Sequence, residues 1–361
     1  MTASVNLPWR VVDPEEREGR GLVFPSVGEY PIYDATAYEV MMADRFRVDA
    51  FTHGMRAAVR PGDTVVELGC GALAPWARLA DDLGAGRVLA VEYLPEVRDR
   101  ARRLIADEGR SQSVSVLSPD EYRAFTGRVD VLVAEVIGTI GGSEGAAETI
   151  GSEVARIDNP DLIVLPGGWE TEVRGFSFAR TAAGQPPAFP PTAIPYLEQL
   201  RDLAGADLDP RLCAVGPYVT DGLLTDGGVI EVGSYRGTRA DHVTTTARLH
   251  VTAPGTLDSL LLSVRVLVGE AVVDSLTEET SWFPVIVPLP APVEVAPGTV
   301  VDVRATSQHG AGGHCLDYSL AWSVHPPDGG RTSGTVDVPW RASGLGTNPL
   351  TRRLLVESAQ Q

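Results

Sequence analysis

Lysine is missing altogether: the 30 basic residues of this 361-residue chain are all arginine. That removes Schiff-base chemistry and a lysine general base, and it suits a GC-rich coding sequence. Cysteine is scarce. Cys70, Cys213 and Cys315 lie far apart and are odd in number, which excludes a disulfide framework and a zinc knuckle. The six histidines show no metal-ligand spacing, so no metal is expected. No apolar run reaches the roughly 18 residues that span a bilayer, and the start, Met1 to Asn6, lacks a positively charged leader followed by an apolar stretch. A cytoplasmic protein without a membrane partner is expected. Positive charge is also in short supply: 48 acidic against 30 basic residues give a net charge of −18. Such a field repels nucleic acid and anionic lipid and favours cationic substrates.

What is present is an ordered globular composition, 43% hydrophobic with 38 glycines and 27 prolines. The length suits two domains. Residues 1–30 read as an irregular lead-in. From Ala37 to Val59, apolar residues recur at helical intervals until Pro61-Gly62 stops the pattern, which predicts a helix ahead of the first strand of the sheet. Apolar runs at 64–68, 87–91, 113–117 and 129–134 then alternate with helical stretches at 76–83 and 95–108. Strand and helix in alternation imply a Rossmann-like α/β domain with a parallel sheet. A further run, Leu162 to Leu165, ends in the breaker Pro166-Gly167-Gly168.

After that breaker the texture turns β-rich, with strands predicted near 170–178, 229–234, 243–251, 260–267, 282–287, 299–305 and 316–324. This pattern predicts an antiparallel β-barrel or β-sandwich. A short amphipathic helix, Ala193 to Leu203, sits among prolines as an insertion. The expected division is a lead-in over 1–30, an α/β domain over 31–165 and a β domain over 166–361, with the helical insertion at about 186–212.

Glu67-Leu68-Gly69-Cys70-Gly71 follows the first predicted strand of the sheet and precedes a helix. Two glycines at such a turn let the backbone approach a nucleotide or amino-acid moiety more closely than side chains allow. Glu92 ends the next strand, where a carboxylate can accept both ribose hydroxyls of an adenosine. Gly69, Gly71 and Ala74 also satisfy the dinucleotide spacing G-x-G-x-x-A, so the turn alone admits NAD. Glu67 before the turn and the long leading helix argue against NAD.

After the fourth strand the chain reads Ala134-Glu135-Val136-Ile137-Gly138-Thr139-Ile140-Gly141-Gly142-Ser143-Glu144. Glu135 stands at the carboxyl end of a parallel strand, where ligands bind in such sheets. The three glycines would let the chain double back and bring Glu144 beside it. Two converging carboxylates suit a planar guanidinium, which offers five donors in a fixed fork.

These motifs resemble the protein arginine methyltransferases. That family carries a double-glutamate hairpin after its fourth strand at this separation, with a glycine matched by Gly138. Its leading helix has the pattern M-x-x-D-x-x-R, present as Met41-Met42-Ala43-Asp44-Arg45-Phe46-Arg47. The resemblance implies an S-adenosylmethionine (SAM) domain followed by a β-barrel with a helical dimerisation arm, S-adenosylhomocysteine as coproduct, and a homodimer. It places Tyr38, Met41, Arg47, Glu67, Gly69, Gly71, Glu92, Tyr93, Asp120, Glu121 and Glu135 around the cofactor, Arg47 pairing with its carboxylate. It gives Glu135, Glu144 and Asp44 the catalytic roles and puts Glu135, Glu144, Ser281 and Trp282 at the acceptor.

The chain departs from the family at several points. The family's T-H-W loop reads Thr280-Ser281-Trp282, so the histidine that pairs with the helix aspartate is replaced. Aromatic residues usual within the hairpin give way to Thr139 and smaller neighbours, and a methionine becomes Ala146. A reshaped acceptor pocket is implied, which suits free arginine or an arginine-bearing metabolite or peptide in bacterial secondary metabolism. A protein arginine methyltransferase proper, a non-catalytic SAM-binding protein and a small-molecule O-methyltransferase are the alternatives.

Overall fold

In the computed structural model, residues 11–16, 22–26, 41–181, 188–194, 211–215, 220–235, 243–310 and 315–338 are described. After a short strand, β1 (Val23–Ser26), and helix α1 (Arg45–Ala58), strand and helix alternate. The order is β2 (Thr64–Leu68), α2 (Pro75–Asp82), β3 (Arg87–Val91), α3 (Pro95–Asp107), β4 (Val114–Leu117), α4 (Pro119–Arg123), β5 (Val131–Ala134), α5 (Ala146–Arg156) and β6 (Ile163–Leu165). Proline opens α2, α3 and α4, where its missing N–H costs no helical bond. Strands β2 to β6 form one parallel sheet in the order β4-β3-β2-β5-β6. Strand order reverses between β2 and β5, so the crevice beyond their carboxyl ends is the switch point of the sheet. Val65, Val66, Val88, Ala90 and all four residues of β5 are buried, as expected for strands covered on both faces.

The second half contains β7 (Gly168–Phe176), the short helix α6 (Phe178–Thr181), β8 (Arg211–Ala214), β9 (Gly228–Ser234), β10 (Val243–His250), β11 (Gly255–Val268), β12 (Ala271–Asp274), β13 (Val285–Val295), β14 (Val300–His309), β15 (Leu316–His325) and β16 (Thr332–Val338). They build two antiparallel sheets. One runs β1-β8-β13-β11-β7-β9 with β12 on β11; the other runs β10-β14-β15-β16. Val173, Leu260 and Leu262 of the first sheet share a core with Leu249, Val303, Leu320 and Trp322 of the second. The predicted α/β domain followed by an antiparallel β domain is therefore the observed fold.

Two differences bear on the site. The lead-in is not wholly irregular, because Val23–Ser26 pairs with β8 as an edge strand of the second half; a stretch holding Pro25 is tolerated on an edge. The leading helix is interrupted at Asp44, which has extended backbone (φ −70°, ψ 95°) and caps α1 by accepting the Arg47 N–H at 3.0 Å. Periodicity runs straight through such a break, whereas a buried carboxylate at a helix start satisfies a backbone donor that has no intrahelical partner. Asp44 therefore precedes α1 rather than lying on its face. The predicted insertion helix lies outside the described residues beyond Ile194.

Helix α1 lodges between the halves. Phe51 stacks on Trp76 of α2 with ring centroids 5.0 Å apart, and Met55 shares a core with Val264, Val266 and Val268 of β11. That seat carries Asp44 and Arg47 to the switch point. No helix among the described residues is long and apolar enough to cross a membrane.

Candidate functional site

The turn after β2 is held by two backbone bonds, from the N–H groups of Gly69 and Cys70 to the Val91 carbonyl at 2.9 and 3.0 Å. Gly69 and Gly71 both take left-handed backbone (φ +69° and +61°), which side chains disfavour. Open space lies beyond Gly69, with no atom within 4 Å of where a Cβ would stand. Glu92, buried at the end of β3, accepts the Gly71 N–H at 3.0 Å through Oε2 and the Leu94 N–H at 2.8 Å through Oε1. Each oxygen keeps a second lone pair for a ligand hydroxyl.

Glu67 performs a different task. Its Oε2 accepts the Ala77 N–H at 2.7 Å and its Oε1 the Trp76 N–H at 3.4 Å, so it closes the start of α2. Burial pushes its pKa up to about 8, against the lowering effect of those two bonds. Tyr93 has an exposed ring. Its carbonyl and that of Glu92 accept from Arg98 Nη1 at 3.1 and 3.0 Å. Beyond β4, Glu121 forms a capping box with Ser118 and pairs with Arg102 at 3.0 Å, while Asp120 is exposed and pairs with Arg123 at 2.5 Å. Tyr38 lies outside the described residues; Met41 is half-buried in the helical stretch 41–43.

Across the switch point, the structure brings together Asp44, Arg47, Glu135, Ser281 and Trp282. Arg47 Nη2 makes an ion pair with Glu135 Oε2, and both side chains are largely buried. Arg47 Nη1 donates to Ser281 Oγ at 3.2 Å, and the guanidinium carbon stands 4.9 Å from the Trp282 ring centroid. Asp44 Oδ2 accepts from Thr280 Oγ1 at 2.5 Å, from Ser281 N at 2.6 Å and from Ser281 Oγ at 2.9 Å. Trp282 Nε1 donates to the Ile137 carbonyl at 2.7 Å, tying this loop to the segment after Glu135.

From Glu135 the chain turns back through a bond from Gly138 N–H to Gly141 O, and Ser143 bonds twice to the Ile140 carbonyl. Glu144 follows, one residue before Gly145 caps α5. Its charge reaches the buried Tyr235, whose ring lies 5.4 Å from that of Trp169. The second half grips this hairpin directly: Gly141 N–H donates to Thr171 Oγ1 at 3.1 Å, Gly142 N–H to Glu231 Oε2 at 3.2 Å, and Leu316 N–H to the Ser143 carbonyl at 3.1 Å. Thr171, Glu231, Trp169 and Arg98 escaped sequence reading, since no local motif marks them. The pairing of Arg47 with Glu135 was likewise not anticipated.

Chemically, the crevice offers backbone room and hydroxyl-accepting carboxylate on one side and buried carboxylate with an aromatic wall on the other. No family model matches the chain. An arginine N(omega)-methyltransferase of Streptomyces achromogenes subsp. streptozoticus is 32% identical over 133 residues, 35% of this chain; the match spans only 36% of that relative's own length. Among solved structures, protein arginine methyltransferase 10 of Arabidopsis thaliana superposes with a TM-score of 0.66 at 15% identity, over 83% of this chain and 96% of that one. The Trypanosoma brucei PRMT1 enzyme-prozyme heterotetrameric complex with AdoHcy gives 0.67 at 16% identity, over 84% and 100%. PRMT6 with SAH gives 0.62 at 14%, over 81% and 100%. The chain has the fold of the protein arginine methyltransferases.

Proposed function

We propose that this chain is a SAM-dependent N-methyltransferase that methylates a guanidino nitrogen of arginine, either free or within a small arginine-bearing metabolite or peptide. One observation carries the reading: Glu135, at the switch point beside the glycine turn, already grips a guanidinium, that of Arg47. A planar fork meeting a carboxylate is the contact an arginine acceptor needs. The Streptomyces relative supports the same activity, and Thr139 and Ala146, standing where the family has larger residues, support a reshaped acceptor pocket.

The residues present fit SAM. The open space at Gly69 admits a ligand against the backbone, and the free lone pairs of Glu92 suit ribose hydroxyls. Arg47 would hold the carboxylate of the donor, leaving Glu135 for the acceptor. Bound there, SAM supplies a methyl group already activated on a sulfonium. Arginine stays protonated at any physiological pH, its pKa lying far above that range, so its nitrogens are poor nucleophiles. Glu135 and Glu144 concentrate the positive charge on the nitrogens they hold and leave the third with an available lone pair. Positioning supplies most of the rate. The departing proton passes to Glu144, Glu135 or water, since Ser281 cannot take the part of a histidine base.

In this proposal residues 31–165 carry the donor and 166–361 frame the acceptor. The protein works in the cytoplasm as a homodimer, in bacterial secondary metabolism. Labelled SAM with free arginine, with a short arginine-rich peptide, with an arginine-rich protein and with no acceptor tests it. Transfer to free arginine or to a short peptide supports it. Transfer to proteins alone makes it a protein arginine methyltransferase, and donor binding without any transfer defeats it.

A further inference from the structure

Strands β7 and β9 pair so that Thr171 stands opposite Glu231 and Trp169 opposite Gly233. Cross-strand partners share a face, and residues two apart along a strand do too. One face of this ribbon therefore presents Trp169, Thr171 and Glu231 together, and it faces the hairpin. A Cβ on Gly141 would overlap the Trp169 ring, as would one on Gly233, so only glycine lets hairpin and ribbon close on that indole.

Glu231 collects the contacts. Its Oε2 accepts from Gly142 N at 3.2 Å, Trp169 Nε1 at 3.1 Å and Thr171 Oγ1 at 2.8 Å, while Oε1 accepts from Tyr318 Oη at 2.8 Å. Thr171 Oγ1 in turn accepts the Gly141 N–H, which makes a relay from Gly141 through Thr171 to Glu231. Tyr318 belongs to β15, in the other antiparallel sheet. A single carboxylate thus joins both sheets of the second half to two successive amides of the hairpin. Glu231 makes no ion pair among the described residues. Its four donors are neutral: a backbone N–H, an indole N–H and two hydroxyls.

We infer that Glu231 is the positioning residue of the acceptor site: it fixes Gly141 and Gly142, and through them the placement of Glu144 two and three residues onward. It touches neither donor nor acceptor. The inference rests on the proposed guanidino methyl transfer for its kinetic part, whereas its structural part stands by itself.

Three variants test it: Glu231→Ala, Glu231→Gln and Thr171→Val. Glutamine can keep its oxygen toward Gly142, Trp169 and Thr171 and donate its amide to Tyr318 Oη, so it preserves the brace while removing the charge. Glu231→Ala should lower kcat about a hundredfold, the scale of a misplacement of about 1 Å, with donor affinity unchanged by calorimetry. Glu231→Gln should restore most of that loss. Thr171→Val, which breaks only the relay and keeps the side-chain volume, should give a smaller fall and guards against an alanine variant that does not fold. Hydrogen exchange at the Gly141 and Gly142 amides should quicken in Glu231→Ala and in Thr171→Val but not in Glu231→Gln.

Unchanged kcat and exchange in Glu231→Ala overturn the inference. So does a glutamine variant as impaired as alanine, which would assign the effect to charge. A wild-type protein that methylates no guanidine sinks the proposed activity alone, and the exchange measurement then decides the role of Glu231.

Discussion

Ser281 gives its amide to Asp44 Oδ2 at 2.6 Å and its hydroxyl to the same oxygen at 2.9 Å, so the loop before β13 is sewn to the cap of α1. Asp44 also takes Thr280 Oγ1 and the Arg47 amide. Replacing Asp44 by Ala strands several buried donors at once. Equilibrium denaturation should show a loss of about 2 kcal/mol or more, with a smaller loss for Ser281→Ala, which keeps the amide contact. Equal midpoints for wild type and Asp44→Ala would contradict this account.

Glu144 and Glu135 should separate in a paired experiment. Glu144→Gln is expected to abolish methyl transfer while calorimetry finds donor binding nearly unchanged; sustained turnover would remove Glu144 from the acceptor site. Glu135→Gln should abolish transfer and also destabilise the fold, because it removes the Glu135 charge from the buried Arg47 guanidinium. Losing one member of a buried pair costs roughly 3 kcal/mol.

Glu67 should leave a signature in stability against pH. Its folded pKa is raised from 4.5 to about 8, so the native state binds a proton that the unfolded chain has released. The favourable contribution is complete below 4.5 and is lost as pH climbs through about 8. Subtracting the Glu67→Gln curve from that of wild type should show a decline across this window and none above it. A flat difference would mean that Glu67 is ionised in the native state.

Gly141→Ala tests the close approach between hairpin and ribbon. The added methyl meets the Trp169 ring, and overpacking of this kind costs about 1 to 3 kcal/mol. Methyl transfer should fall further than donor affinity, since Gly141 belongs to the hairpin that leads to Glu144 and not to the glycine turn at Gly69. Wild-type kcat in this variant would show that the hairpin moves without consequence.

The parallel sheet was legible because strands buried on both faces read as unbroken apolar runs, such as Val131 to Ala134, and because the breakers between them are local. The antiparallel half was legible in kind but less so in its limits. Trp282, at the start of a predicted strand, lies in the loop ahead of β13, where its indole donates to the Ile137 carbonyl. The start of α1 was misread for a related reason: Met41 to Val48 has helical spacing whether or not the chain breaks at Asp44, and only the bond from Arg47 N–H decides it. Glu231 carried no signal at all, since one glutamate in a β-rich run is ordinarily a solvated residue.

Taken by itself, the order of residues determined the succession of strands and helices, the glycine turn after β2, and the two glutamates flanking a glycine-rich bend. Each depends on backbone dihedrals or burial periodicity within a few positions. Tertiary structure alone decided that Arg47 meets Glu135, that Ser281 meets Asp44 across 237 positions, and that Glu231 holds the hairpin. Such pairings follow from sheet register and from how the two halves dock: a shift of one residue in β9 would turn Glu231 to the opposite face, and the other two pairs depend on where α1 seats against the loop before β13 and the end of β5.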